Sequence, residues 1–220
     1  MFTHSGSFPS ELFLIPKVNS IAAIGNCFSG SLPKTICRAT SLQSLALDGL
    51  AAGERCTKES FFGVGRVIIP KYMEGSIPNC VWRFPALETL HMAGNGFTGS
   101  LPSGTISDKL KNLNVGFNRI SGTISNYLLS QRYSVFDVSF NKITGTLMNF
   151  DNDTQSRDDA TVFRSKVNRL SGDIPLIRFR NFSTLDILNG NIFSCDYIPE
   201  EDVHSSKYIC GSKNYDAGVL

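Results

Sequence analysis

The chain has 220 residues, of which 41% are hydrophobic and 18% are charged, and its formal net charge is +2. This hydrophobic content is sufficient for a buried core, whereas the near-neutral charge excludes the basic footprint of a nucleic-acid or anionic-membrane binder. Apolar stretches such as 12–16 and 67–70 are far shorter than the roughly 18 residues that a membrane-spanning helix needs.

A short motif, Gly-x-(Leu/Ile/Phe)-(Pro), recurs along the chain, and most copies lie 23 or 24 residues apart. It occurs at Gly6, Gly30, Gly75, Gly99, Gly122, Gly145 and Gly172. An asparagine lies four residues before five of these glycines, at Asn26, Asn95, Asn118, Asn141 and Asn168. Because a repeat of about 20 to 50 residues is the sequence signature of stacked coils, the pattern predicts a solenoid.

Each position of the repeat has its own physical role. In the clearest copy Leu90 and Met92 alternate with a polar residue, which predicts a short strand with its apolar side chains inward. Stacked copies of this strand would form a parallel sheet. Asn95 follows, and its amide can satisfy backbone groups of its own and the neighbouring coil, so the five asparagines predict a ladder. Glycine permits the next turn, and proline fixes an extended segment.

These motifs resemble the plant-type leucine-rich-repeat family, whose consensus is L-x-x-L-x-L-x-x-N-x-L-x-G-x-I-P, over about residues 2–195. The resemblance implies an α/β right-handed solenoid. Its concave face would carry a short parallel β-sheet, and its convex face would carry 3-10 or irregular segments. We predict an array of about seven coils over 1–194, followed by a C-terminal cap and tail over 195–220.

Three departures from the repeat carry information. The segment 6–9 is the tail of a coil that starts before the chain does, so we expect the first coil to be truncated and further coils to precede it. In the second full unit Leu50 replaces the ladder asparagine, and the turn resumes at Met73. The residues between them, 51–72, are an insertion, which we expect to form a loop on one face. The last strand, 185–188, lies one residue out of register with Asn191.

The six cysteines indicate an oxidising compartment, because an even count suits a disulfide framework. By resemblance, Cys195 and Cys210 close the C-terminal cap that extracellular members of the family carry. The other four crowd around the insertion, and the sequence leaves their pairing open: Cys27, Cys37, Cys56 and Cys80. The alternative is that these four are buried free thiols of a cytosolic repeat protein.

Two N-x-S/T sequons, at Asn152 and Asn181, predict glycosylation at loop or convex positions, where a glycan would not block the sheet. They add weak support for an extracellular or cell-surface location. A membrane would then be reached only through a segment outside this chain.

No motif for catalysis, a metal or another cofactor stands out. The three histidines have no H-E-x-x-H spacing and the cysteines no paired C-x-x-C spacing. The glycine pair in 63–65 lacks the third glycine of a nucleotide site, and the acidic segment 149–159 lacks the glycine and terminal glutamate of an EF-hand loop. We therefore expect no cofactor and no enzymatic activity.

What remains is the concave surface of the predicted sheet. The candidate ligand-binding residues are His91, Asn112, Asn114, Phe117, Asp137, Phe140, Arg164 and Lys166. Phe117, Phe140 and Val167 stand beside ladder asparagines, one per coil, and would form an exposed apolar stripe able to anchor a peptide or stack on sugar rings. The alternative is that aromatic residues at this position are simply common in the family.

These features predict an extracellular recognition module, part of a receptor-like protein, that binds a protein, peptide or cell-surface glycan on its concave face, with no nucleic-acid partner. Two alternatives stay open. One is a structural or adhesive surface-coat protein without a specific ligand, and the other is an inhibitor of a secreted hydrolase.

Overall fold

The computed structural model describes residues 4–49, 56–62, 65–70, 72–147, 161–174 and 182–211, and between 57 and 70 it gives the backbone alone. Both sequons and the acidic segment 149–159 lie outside these residues. Among the described residues no helix is long and apolar enough to cross a membrane.

The predicted solenoid is confirmed by a seven-stranded parallel sheet in which each strand pairs with the next one along the chain. Its strands are Ser20–Ala22, Ser44–Ala46, Thr89–His91, Asn112–Asn114, Val135–Asp137, Val162–Arg164 and Thr184–Asp186. The central residues are in register, so Leu113 lies between Leu90 and Phe136. All three side chains are fully buried. Stacked strands therefore share one interior column of apolar side chains, which no single coil could bury alone.

Short helices form the opposite, convex side and close the core. They are the 3-10 segments Ser10–Leu14 and Lys34–Arg38 and the single α-helical turns Asn79–Trp82 and Asn126–Leu129, with a further 3-10 turn, Ser205–Lys207, near the C-terminus. Three of them follow the proline of the repeat motif directly, since proline at a helix start removes only a donor that has no helical partner. Their inward side chains, including Phe13, Ile36 and Trp82, are buried in the core.

A second set of parallel strands lies at the segments that follow the ladder asparagines, where the sequence analysis expected only turns. One sheet contains Ser5–Ser7, Cys27–Ser31, Met73–Ser76 and Gly96–Thr98, and another contains Thr144–Gly145, Arg169–Gly172 and Ile192–Phe193. The motif glycine has a positive φ here, and from Gly75 onward it lies beneath a side chain of the preceding coil. A Cβ on Gly172 would be 2.7 Å from the Thr146 methyl group, so close coil stacking requires glycine.

The insertion contains an antiparallel hairpin, Thr57–Phe62 with Gly65–Pro70, rather than the loop that we expected. It is held at both ends. A disulfide joins Cys56, at its start, to Cys27 of the preceding coil. Just after it, the ring of Tyr72 covers the backbone of Gly96, where a Cβ would be 2.2 Å from a ring carbon.

Candidate functional site

The ladder asparagines build the corner at which each coil leaves the concave sheet. The Asn118 side-chain amide donates to the carbonyls of Val115 and Gly116 in its own coil, both at 3.0 Å, and of Met92 in the preceding coil at 2.9 Å. Its carbonyl accepts from the Phe97 N–H at 3.0 Å. One side chain thus satisfies four backbone groups in two coils, and the spacing of those coils is fixed by hydrogen bonds.

Asn95, Asn141 and Asn168 repeat this arrangement, but the two ends of the ladder differ from the sequence analysis. Asn191 also takes part, because it donates to Ser165 and Ile187 and accepts from the Leu170 N–H. The sequence pattern did not place Asn191 in the ladder because the preceding strand is offset by one residue from the repeat. Asn26, by contrast, bonds only the Ile24 carbonyl and the His4 N–H among the residues that the structure describes.

The predicted ligand-binding residues of the strands lie next to one another on the concave face. Asn114 is in register with His91 on one side and with Asp137 on the other, and Asp137 is in register with Arg164. These side chains are all partly exposed. Lys166 lies two residues beyond Arg164, after the end of its strand.

The charges on this face are paired with one another. Lys166 Nζ lies 2.5 Å from a carboxylate oxygen of Asp186, and an Arg164 guanidinium nitrogen lies 3.8 Å from Asp137. Asp48 has His91 Nδ1 at 3.9 Å. Burial raises the pKa of the Asp48 carboxyl above its ordinary value, although the hydrogen bond from the Ala93 N–H and the nearby His91 act in the opposite direction.

Asp202 and His204, which the sequence analysis did not single out, end the concave sheet together with Asp186. One Asp202 oxygen accepts from the Ile187 and Leu188 N–H groups and the other from the His204 N–H, while His204 Nδ1 lies 3.1 Å from Asp186. Burial raises the pKa of Asp202, while these three N–H groups lower it and the neighbouring Asp186 adds a smaller rise. The ligand atoms of the three lie within 4.8 Å of one another, close enough to hold a cation. The Lys166 ammonium already supplies the positive charge that a cation would bring to this cluster. We therefore interpret the cluster as a cap of the sheet.

The residue just before each ladder asparagine adopts a left-handed backbone conformation. Phe117, Phe140 and Val167 have φ of 53°, 54° and 51°. This conformation costs a non-glycine residue roughly 1–2 kcal/mol, and it is especially rare for a β-branched residue such as valine. The Phe117 and Phe140 rings are stacked, with centroids 4.1 Å apart and planes 13° from parallel. Phe117 remains 56% exposed. Phe117, Phe140 and Val167 lie beside the concave face, and we call these three residues the corner stripe.

Comparisons with known proteins agree with this architecture. The Leucine Rich Repeat family model matches residues 86–106. The Arabidopsis receptor kinase HAESA, solved with the peptide hormone IDA and the co-receptor SERK1, is 26% identical with a TM-score of 0.68, covering 87% of this chain and 29% of that one. The plant peptide hormone receptor RGFR1 with RGF2 is 22% identical with a TM-score of 0.67, covering 87% and 27%.

The ectodomain of the Arabidopsis thaliana receptor kinase GASSHO1/SCHENGEN3, in complex with CASPARIAN STRIP INTEGRITY FACTOR 2, is 22% identical with a TM-score of 0.62 and covers 87% and 23%. The chain thus spans less than a third of the length of these structures. No curated protein sequence matches it. The stacked parallel strands, the asparagine ladder, the family match over residues 86–106 and these neighbours support a plant-type leucine-rich-repeat protein.

Proposed function

We propose that this chain is an extracellular ligand-binding module that holds a protein or peptide on its concave face. The observation that carries the proposal is the composition of that face. His91, Asn114, Asp137 and Arg164 lie in register on four adjacent strands, and Phe117 and Phe140 follow two of these strands. A surface that combines aromatic anchors with fixed polar groups is suited to specific recognition.

The neighbours support the peptide class of ligand. HAESA, at 26% identity over 87% of this chain, was solved with a peptide hormone and a co-receptor. Amide side chains such as Asn112 and Asn114 match the donor and acceptor of a peptide unit. By this reasoning the chain is part of a receptor-like protein, its ligand is a protein or peptide rather than a glycan, and it performs no catalysis.

The cysteines support the compartment. All six are paired, as Cys27–Cys56, Cys37–Cys80 and Cys195–Cys210. Disulfides persist in oxidising surroundings and are rare in the cytosol. Three of them in one chain favour an extracellular or cell-surface location over the alternative of free thiols.

Selection of binders by the purified chain tests the proposal. The chain is panned against a random linear peptide library and a glycan array, and affinities are then measured for two variants. Asn114→Arg places a bulky cation in the middle of the concave face, and Tyr127→Arg makes the same kind of change at an exposed convex position. We expect selected peptides to lose at least about tenfold in affinity for the first variant, about 1.4 kcal/mol, and none for the second.

Other outcomes favour the remaining functions. Binders that tolerate Asn114→Arg would exclude the concave face, and binding to glycans alone would replace the peptide by a sugar ligand. Adhesion to many surfaces without selection of any ligand would indicate a coat protein. Direct inhibition of a secreted hydrolase would indicate an inhibitor.

A further inference from the structure

The corner stripe of Phe117, Phe140 and Val167 occupies positions at which glycine serves the fold equally well. In the other coils the residue before the ladder asparagine is Gly25, Gly94 or Gly190, and each has the same left-handed conformation. Three consecutive coils thus carry apolar side chains on a backbone that disfavours them. Strain of this kind, held in place by the surrounding ladder, points to a function of the side chains rather than to folding.

One face of this stripe is open. The Phe117 ring stacks on Phe140 on one side, but the coil on its other side presents Gly94, which has no side chain. The surface beside Gly94 is formed by the backbone of the neighbouring coil. A Cβ on Gly94 would lie 2.8 Å from the Gly49 carbonyl oxygen. The result is an open step in front of an exposed aromatic ring, because the coil beyond Gly94 also presents a glycine there, Gly49. Such a step accommodates one planar side chain.

The polar groups beside this step are two uncharged amides and one pair, His91 with Asp48, whose members lie 3.9 Å apart. Asn112 and Asn114 belong to the same coil as Phe117, and Asn114 uses its carbonyl to accept from the Gly116 N–H at 3.1 Å. The Asn114 amide N–H groups have no acceptor among the described residues, and Asn112 has only a weak contact of 3.5 Å to Thr89. The charged residues further along the face are already paired with one another.

We propose that this step is an anchoring site for an uncharged, extended peptide segment that places an aromatic side chain on the open face of Phe117. The asparagine amides of the same coil hydrogen-bond the peptide unit next to that side chain. Aromatic rings stack favourably in offset geometry, and a preformed Phe117–Phe140 pair loses no freedom on binding. This inference rests on the proposed function and names the feature of the ligand that the concave face selects.

Solution NMR with small probes tests the site directly. The labelled chain is titrated with N-acetyl-L-tryptophanamide, which carries an aromatic ring between two amides. N-acetylglycinamide serves as the control without a ring, and methyl β-glucoside serves as a sugar. We expect the tryptophan probe alone to shift the signals of Gly94, Gly116 and the Phe117 ring. Shifts of equal size with the glucoside, or shifts confined to other residues, would overturn the assignment to an aromatic peptide residue.

Variants separate binding from folding. Phe117→Gly removes the ring while suiting the left-handed backbone, so it should fold at least as well as Phe117→Ala and show a higher denaturation midpoint. Both variants should lose the shifts at Gly94 and Gly116. Tyr127→Ala is a matched control, because Tyr127 is 55% exposed on the convex side, and it should keep the shifts. Retention of the shifts by a folded Phe117→Gly chain would refute the proposal.

Affinity measurements with the library-selected peptides test this inference and the proposed function separately. We expect them to share an aromatic residue and to lose at least tenfold in affinity for Phe117→Gly. If they depend on Asn114 but tolerate Phe117→Gly, the concave face binds peptides without this anchor, and only the inference fails. If they tolerate changes at both residues, the proposed function itself fails.

Discussion

The N-terminal and C-terminal coils hold the same spacing by different means. From Asn95 to Asn191 the ladder is continuous, and each of its amides bonds two coils. In the N-terminal coils Asn26 makes two contacts, and Leu50 stands where the next asparagine belongs. Two disulfides, Cys27–Cys56 and Cys37–Cys80, tie this region together instead. Disulfides thus hold the interrupted coils together, whereas hydrogen bonds from buried asparagine amides hold the regular coils together.

The corners of the coils follow this division in part. Gly25 lies outside the continuous ladder and Gly94 and Gly190 lie at its two ends, whereas the three corners between them have Phe117, Phe140 and Val167 in the same conformation. A continuous ladder holds its backbone firmly enough to keep strained side chains in place. The side chains offered to a ligand therefore stand in the half of the molecule with the more rigid hydrogen-bond frame.

Removal of a disulfide should have the largest effect and should act locally. Cys37 and Cys80 join the second and third convex segments, Lys34–Arg38 and Asn79–Trp82, across a sequence separation of 43. Replacing both by serine should destabilise the N-terminal coils by about 4 kcal/mol, from the loop closed by the bond. Hydrogen exchange measured by mass spectrometry should rise in residues 20–49 and stay low in residues 110–147. An equal rise in both regions would show that the ladder does not hold its coils independently.

Loss of a ladder asparagine should reverse this pattern. Asn141→Ala leaves the Ile120 N–H without its acceptor, and it removes one of the two donors that each of the Val115, Val138 and Ser139 carbonyls now has. We expect a loss of about 3 kcal/mol in the free energy of unfolding, from the unsatisfied N–H, at about 1–3 kcal/mol, and the three lost hydrogen bonds to carbonyls. Asn26→Ala is the matched control and should cost less than about 1 kcal/mol, because its contacts are exposed. Denaturant titration of both variants checks the difference, and equal losses would contradict the comparison.

The repeat motif predicted the solenoid, its buried column and five members of the ladder because each depends on local spacing. The pairing of the four N-terminal cysteines depends on the path of the insertion, which no periodicity specifies. The second set of strands was missed because each is only two to five residues long and five of the seven contain a glycine with positive φ. The left-handed conformation of Phe117 was not predicted for a related reason, since a phenylalanine is expected to have a negative φ.

Substitution of the corner glycines should produce a graded effect within the N-terminal half. Alanine at Gly94 combines a disfavoured φ of 66° with a Cβ placed 2.8 Å from the Gly49 carbonyl oxygen. We expect Gly94→Ala to lower the free energy of unfolding by about 2 to 3 kcal/mol, from left-handed strain and overpacking. Gly25 has a similar φ but open space around it, so Gly25→Ala should cost about 1 kcal/mol. Equal midpoint shifts in denaturant would show that coil contact adds nothing to backbone strain.

The smallest effect concerns Asp48, the buried acid of the N-terminal part of the concave face. Its pKa is raised, chiefly by burial, so its ionised form is less favourable in the folded chain than in the unfolded one. The resulting penalty is absent below the ordinary value of about 3.9 and grows as the pH rises from there through the raised pKa. Asp48→Asn removes the charge, while the amide oxygen still accepts the Ala93 N–H at the place where Asp48 now does at 2.7 Å.

The variant should therefore be more stable than the wild type at pH 8, well above the ordinary pKa of an aspartate. The gain should be only about 0.5 kcal/mol, because solvent reaches part of the carboxylate. The difference should shrink as the pH falls and vanish below about 3.9, where Asp48 is protonated. Asp108→Asn, at an exposed position, is the control and should show no such trend. A wild type more stable than Asp48→Asn at pH 8 would mean that the His91 contact outweighs burial, so that this half of the face also depends on a charge pair.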